Sequence, residues 1–186
     1  YPLRRQRQMC IETAVNPRPT AAISGGATYC SGAQVPTQLS IAVTGTGPWS
    51  GTLSNGQAFS GSISPILVNV PALPSTTSYT VSTLSDATGC TPIASDLTGT
   101  ATVIINPLAA TPTATVTQPT CAVATGTITV TAPLGAGNSY TLDGTTTITW
   151  PSVSFSAVAP GVHTISVSNS FGCFAPATAS VTVNPQ

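Results

Sequence analysis

The chain has 186 residues, no lysine and only 4% charged residues, where an ordinary domain carries about 25%. Its formal net charge is zero, and its four arginines, Arg4, Arg5, Arg7 and Arg18, lie within the first 18 positions, so the rest of the chain offers no basic face to nucleic acid. The four acids, Glu12, Asp86, Asp96 and Asp143, are too scattered for paired-carboxylate catalysis or an anion cluster around calcium, so no catalytic residue, metal or cofactor is expected.

Polarity comes instead from 33 Thr and 21 Ser. Threonine is β-branched and suits a half-buried pleated surface. No apolar run approaches the ~18 residues of a membrane span, and the first residues are polar and Arg-rich, without the apolar core of a signal peptide. Five cysteines fit an oxidising compartment.

In chain order, residues 1–18 read as an extended arm. Met9, Ile11, Thr13 and Val15 alternate with Cys10, Glu12, Ala14 and Asn16, which is strand patterning. An isolated strand seeks an edge to join. Two readings stay open: the arm is a donor strand for a neighbouring subunit, or it folds back on its own first domain or ends a preceding one. Cys10 is the odd cysteine, a candidate for a link between subunits or a spare thiol.

Residues 19–107 form a first β-domain and residues 108–186 a second, separated by the Pro-punctuated stretch from Asn106-Pro107 to Pro112. Apolar alternation marks strands at Leu39, Ile41 and Val43; at Ile66, Val68 and Val70; at Tyr79 and Val81; and at Ala101, Val103 and Ile105. The second domain repeats it at Ile128, Val130 and Ala132; at Tyr140 and Leu142; at His163, Ile165 and Val167; and at Ala179, Val181 and Val183. Short strands with Gly-, Pro- and Asn-rich turns predict two tandem immunoglobulin-like β-sandwiches, an all-β fold.

The landmarks recur in fixed order, the signature of a tandem repeat. Thr88-Gly89-Cys90 precedes Ile104-Ile105-Asn106-Pro107, Phe171-Gly172-Cys173 precedes Val181-Thr182-Val183-Asn184-Pro185, and Cys30 and Cys121 stand early in each half. The arm carries an echo, Ala14-Val15-Asn16-Pro17. Matched placement favours disulfides within each repeat, Cys30 with Cys90 and Cys121 with Cys173, although other pairings are formally open. Such crosslinks would staple cores that are marginal at this size.

The second half resembles the repeat of SprB-type gliding-motility adhesins. The resemblance rests on Gln118-Pro119-Thr120-Cys121, Ala124 to Val130, Tyr140-Thr141-Leu142-Asp143-Gly144, Pro160 to Val167 and Phe171-Gly172-Cys173. His163 stands where that repeat usually carries Tyr. The first half, through Gly45-Thr46-Gly47-Pro48-Trp49 and Thr77-Ser78-Tyr79-Thr80-Val81, resembles the PKD-like, immunoglobulin-like repeats of the same large surface proteins. The resemblance implies an extracellular or cell-surface location and export by a type IX secretion system.

Three side chains remain. His163 is the only histidine, with no carboxylate near it in sequence, and is expected to pack in a core or interface. Trp49 and Trp150 supply core bulk or, on the other reading, platforms for sugar rings. The sequence thus points to a non-catalytic structural subunit of an extracellular filament or adhesin array. Its partners would be further copies of itself or neighbouring repeats. The alternative is a carbohydrate-binding or adhesive module recognising surface glycans.

Overall fold

A computed structural model describes residues 17–33 and 35–186. The arm residues Met9, Cys10, Ile11, Thr13 and Val15 lie outside the described residues. The chain is all-β and divides into two compact units. Of the described residues, one takes 17–28 and 35–104; the other takes Tyr29–Ala33 and Ile105–Gln186. The division departs from the repeat boundary in one respect: a short segment of the first repeat, Tyr29–Ala33, belongs with the second unit.

The first unit contains β1 (Ala21–Cys30, whose last two residues pass to the second unit), β2 (Thr37–Val43), β3 (Trp49–Leu53), β4 (Ala58–Gly61), β5 (Ile66–Val70), β6 (Thr77–Tyr79), β7 (Val81–Ser85), β8 (Leu97–Thr98) and β9 (Ala101–Asn106, whose last two residues likewise pass to the second unit). One sheet runs β5-β2-β1-β9-β6, with β8 on β1, and the other runs β4-β3-β7. The alternation read from sequence fixes the faces. Ile23, Ile41 and Ile66 stand side by side across β1, β2 and β5, with Leu39 beside Val68, and all of them are buried. The facing sheet buries Trp49, Leu53, Phe59, Val81 and Leu84. Only Thr80 separates β6 from β7, so one extended stretch changes sheets there, a device that closes a sandwich corner.

The second unit contains β10 (Thr113–Thr117), β11 (Gly126–Ala132), β12 (Ser139–Leu142), β13 (Thr146–Thr149), β14 (Ser154–Val158), β15 (Gly161–Ser168) and β16 (Ala179–Val183). Its sheets run β10-β11-β14 and β13-β12-β15-β16. Ile128, Val130, Phe155 and Val158 from the first sheet and Tyr140, Leu142, Ile165, Val167 and Val183 from the second form one core. Tyr140 is fully buried, and its phenol donates to the Pro133 carbonyl at 2.8 Å, so its one polar atom is satisfied. Each unit is an immunoglobulin-like β-sandwich in which two sheets face one another across an apolar layer; the pairing is mostly antiparallel, with β8 joining β1 in parallel.

With so few charges, the sheet surfaces are tied by hydroxyls. Directly opposed pairs are Thr52–Thr83 at 2.8 Å, Ser78–Thr102 at 3.0 Å, Thr129–Ser154 at 3.0 Å and Thr141–Thr147 at 2.9 Å. Each cross-strand pair of this kind contributes a few tenths of a kcal/mol, to at most about 1 kcal/mol.

Candidate functional site: the cysteine turns and their surroundings

The two Gly-Cys landmarks are one structural device used twice. After β7 the chain turns through Asp86-Ala87-Thr88-Gly89-Cys90. The Asp86 carboxylate accepts hydrogen bonds from the Thr88 N–H (2.9 Å), the Thr88 hydroxyl (2.6 Å), the Cys90 N–H (3.1 Å) and the Thr46 N–H (3.2 Å). These donors, the Thr88 hydroxyl above all, hold its pKa below the ordinary carboxylate value. Gly89 closes the turn at φ 75°.

After β15 the chain turns through Asn169-Ser170-Phe171-Gly172-Cys173, with Asn169 in the place of Asp86. The Asn169 side-chain oxygen accepts from the Phe171 N–H (3.0 Å) and the Cys173 N–H (3.1 Å), and Gly172 sits at φ 77°. The Asn169 amide also donates to the Pro107 carbonyl at 2.8 Å, fixing the turn to the stretch that leads into the second repeat. The first turn is placed likewise. Gly45 packs so closely that an added Cβ would lie 3.1 Å from both Pro19 and the Asp86 carboxylate, so that turn sits on the stretch leading into β1. Both turns therefore mark the leading end of their repeat. The Asp or Asn four residues before each cysteine is the sequence signal of this turn.

The early cysteines mark the other end. Cys30 is the last residue of β1, and the next N–H, that of Ser31, donates to Asn106 O at the end of β9 (2.8 Å). Cys121 follows Thr120, whose carbonyl accepts from the Gln186 amide; the nearby Gln118 side chain accepts from Asn184 N (2.8 Å) and donates to Thr182 O (3.0 Å). Each early cysteine thus lies beside the end of its repeat's last strand.

This geometry corrects the pairing expected from sequence. Cys30 bonds to Cys173, with their Cα atoms 5.5 Å apart, and Cys90 and Cys121 are free thiols, the first half-buried and the second exposed. Cys30 closes β1, whereas the Asp86–Cys90 turn sits on the stretch that leads into β1. The observed bond instead lies within the second unit, where the Tyr29–Ala33 segment meets the Asn169 turn, and Cys173 is fully buried there.

His163 does have a carboxylate partner, brought from 20 residues away. Its Nδ1 lies 2.7 Å from Asp143 Oδ2, and its Nε2 lies 2.9 Å from the Ala159 carbonyl. The carbonyl accepts only, and so does the carboxylate when ionised, so both ring nitrogens must donate and the imidazolium form satisfies the site best. Hydrogen bonding to Asp143, then to Ala159, raises the His163 pKa; bonding to His163 and to Thr164 N–H lowers that of Asp143. Asp143 adopts φ 49° in the β12–β13 turn, and the ion pair fastens that turn to β15. Among the described residues no group of three or more His, Cys, Asp or Glu is placed to hold a metal ion.

The two tryptophans separate. Trp49 is only 9% exposed and its indole N–H donates to Thr44 O at 3.0 Å, so its face belongs to the core and is not a platform for a ligand. Trp150 is 39% exposed in the β13–β14 connection. No helix among the described residues is long and apolar enough to cross a membrane.

No protein-family model matches the chain, and no curated protein matches it. Among solved structures it is similar to the fibronectin(III)-like modules of Clostridium thermocellum CbhA, at 15% identity over 88% of this chain and 94% of that one, TM-score 0.40. It is similar to a three-immunoglobulin-domain structure of titin at 13% identity, over 92% of this chain and 66% of that one, TM-score 0.45. A third similarity is to SGBP-B of a Bacteroides ovatus mixed-linkage glucan utilization locus, solved with a mixed-linkage heptasaccharide: 19% identity over 93% of this chain and 46% of that one, TM-score 0.29.

Proposed function

We propose that the chain is a non-catalytic structural subunit of an extracellular bacterial filament or surface adhesin array, its partners being copies of itself or neighbouring repeats. The observation that carries this reading is the cysteine-turn device. A turn at the leading end of one repeat is bonded to a segment from the trailing end of the repeat before it, which is what a load-bearing string of modules needs. A disulfide fits an oxidising, extracellular setting, and the export route implied by the adhesin resemblance belongs to the same reading. Strand addition by the arm, through Met9, Ile11, Thr13 and Val15, is a second proposed joint, read from sequence alone. Negative-stain electron microscopy of the full chain without ligand, beside a variant lacking residues 1–15, tests both points. Filaments are expected from the full chain and shortened or absent ones from the truncation; assembly that ignores the deletion would remove the arm from the account.

One observation favours a second reading, an adhesive module for surface glycans. Trp150 is the exposed indole among the described residues and lies in a connection between strands of opposite sheets. Glycan-array binding that disappears in Trp150→Ala, by a monomeric chain, would establish this reading in place of the first.

A further inference from the structure

Cys90 is to the first repeat what Cys173 is to the second, and Cys121 is to the second what Cys30 is to the first. Cys90 and Cys173 close the same turn, each with its N–H on the side-chain oxygen of Asp86 or Asn169 four residues earlier, and each turn lies against the stretch leading into its repeat. Cys30 and Cys121 both lie beside the end of the last strand of their repeat. The one bond present joins a trailing-end cysteine to the leading-end cysteine of the following repeat. Among the described residues, what is left over is a trailing-end thiol, Cys121, and a leading-end thiol, Cys90. The chain therefore carries both halves of a second bond of the same kind, and neither is bonded within the chain.

We infer that Cys121 of one copy of this chain forms a disulfide with Cys90 of the next, repeating between copies the Cys30–Cys173 junction found within one. The inference rests on the filament reading and names its covalent joint. The occupant is a second copy because the trailing-end thiol of one copy is the counterpart of the leading-end thiol of the next, and every copy carries one of each. A contact between two different patches is heterologous, so it does not close as a two-fold dimer and, where the rotation between copies closes no ring, it propagates into an open chain. Exposure is consistent with a joint. Cys121 is exposed, and Val123 (55%) and Ile93 (50%) beside the two thiols present apolar surface to solvent.

The chemistry is thiol–disulfide exchange with an external disulfide, small or protein-borne, as oxidant. The Cys121 thiolate attacks that disulfide, forming a mixed disulfide and releasing one thiolate. The Cys90 thiolate of the next copy then attacks the Cys121 sulfur, forming the inter-copy bond and releasing the second thiolate. Two cysteine thiols are oxidised, one oxidant disulfide is reduced to two thiols, and the two protons lost by the cysteines are taken up by the departing thiolates.

The test uses the full chain with Cys10→Ser as background, oxidised in a glutathione disulfide buffer and read by non-reducing electrophoresis and mass-spectrometric mapping of peptic fragments. A ladder of covalent multimers is expected, with Cys90 and Cys121 peptides crosslinked and Cys30–Cys173 retained. In that background Cys90→Ser and Cys121→Ser each abolish the ladder. An equimolar mixture of the two gives a dimer and nothing larger, because it contains one complementary pair of ends. A ladder seen in the wild-type chain but absent from the Cys10→Ser background, or one that survives Cys90→Ser, overturns the inference, as does a chain that stays monomeric with both thiols still titratable. Microscopy of the same samples separates the two readings. Filaments without the Cys90–Cys121 link leave the filament reading standing and the joint refuted; neither filaments nor link refutes both.

Discussion

Asn169 carries more of the second cysteine turn than any other side chain, since its amide serves two N–H groups of the turn and the Pro107 carbonyl at once. Asn169→Ala leaves those groups unpaired and should destabilise the second unit by about 1–2 kcal/mol in urea unfolding. No change in midpoint would mean that the disulfide alone holds the turn. The His163–Asp143 pair gives a pH dependence. A histidine whose folded pKa is raised contributes fully below its unfolded value of 6.5 and loses that contribution as pH rises through the raised value. An aspartate whose pKa is lowered contributes above its unfolded value of 3.8 and loses it as pH falls through the lowered one. The pair is thus strongest between 3.8 and 6.5. The stability difference between the wild type and His163→Gln should be largest near pH 5.5 and shrink towards pH 9. Asp143 is 41% exposed, so solvent screening keeps that difference below about 1 kcal/mol. A difference that grows with pH would refute the assigned protonation.

At the scale of the element, the strands legible in the sequence are those with a clean period of two. In β2 the residues Thr37, Leu39, Ile41 and Val43 all point inward, and β5 and the start of β11 behave likewise. Other strands gave no such signal, β1, β10, β13 and β14 among them. β10 and β13 bury no residue fully, β1 is interrupted by Gly25 and Gly26 at φ 100° and 134°, and β14 loses its alternation at Ala157, φ 56°. Glycine in β3 has a positional cause. Gly51 faces Phe59 across the β3–β4 pair, and a Cβ there would lie 2.7 Å from the Phe59 ring and strike the Thr83 carbonyl. The aromatic ring occupies the space that the missing side chain leaves. Gly51→Ala should therefore cost about 1–3 kcal/mol in the first unit, an overpacking penalty at a position where alanine would otherwise suit a strand better. A neutral or stabilising effect in chemical denaturation would show that the sheet yields there.

For the whole molecule, the repeat was legible and its crosslinking was not. Matched placement of cysteines in two repeats fits bonds within repeats and bonds between successive repeats equally well. Only the placement of the Asp86 and Asn169 turns at the leading end and of Cys30 at the trailing end decides between them. The carboxylate beside His163 was hidden for a related reason: β12 and β15 are neighbours in the sheet but 20 residues apart in the chain. Because the observed disulfide lies within the second unit, Cys173→Ser should lower the stability of that unit by about 2–5 kcal/mol. The first unit's transition should move little. Equal loss in both transitions would contradict the assignment of Tyr29–Ala33 to the second unit.

The central claim is that this chain builds a string of modules, and negative-stain electron microscopy of the purified full chain, without ligand and under oxidising conditions, tests it most directly. The account predicts unbranched filaments with an axial repeat set by the two-sandwich subunit. Single, unassociated particles at every concentration would contradict it and turn attention to Trp150 and a glycan ligand.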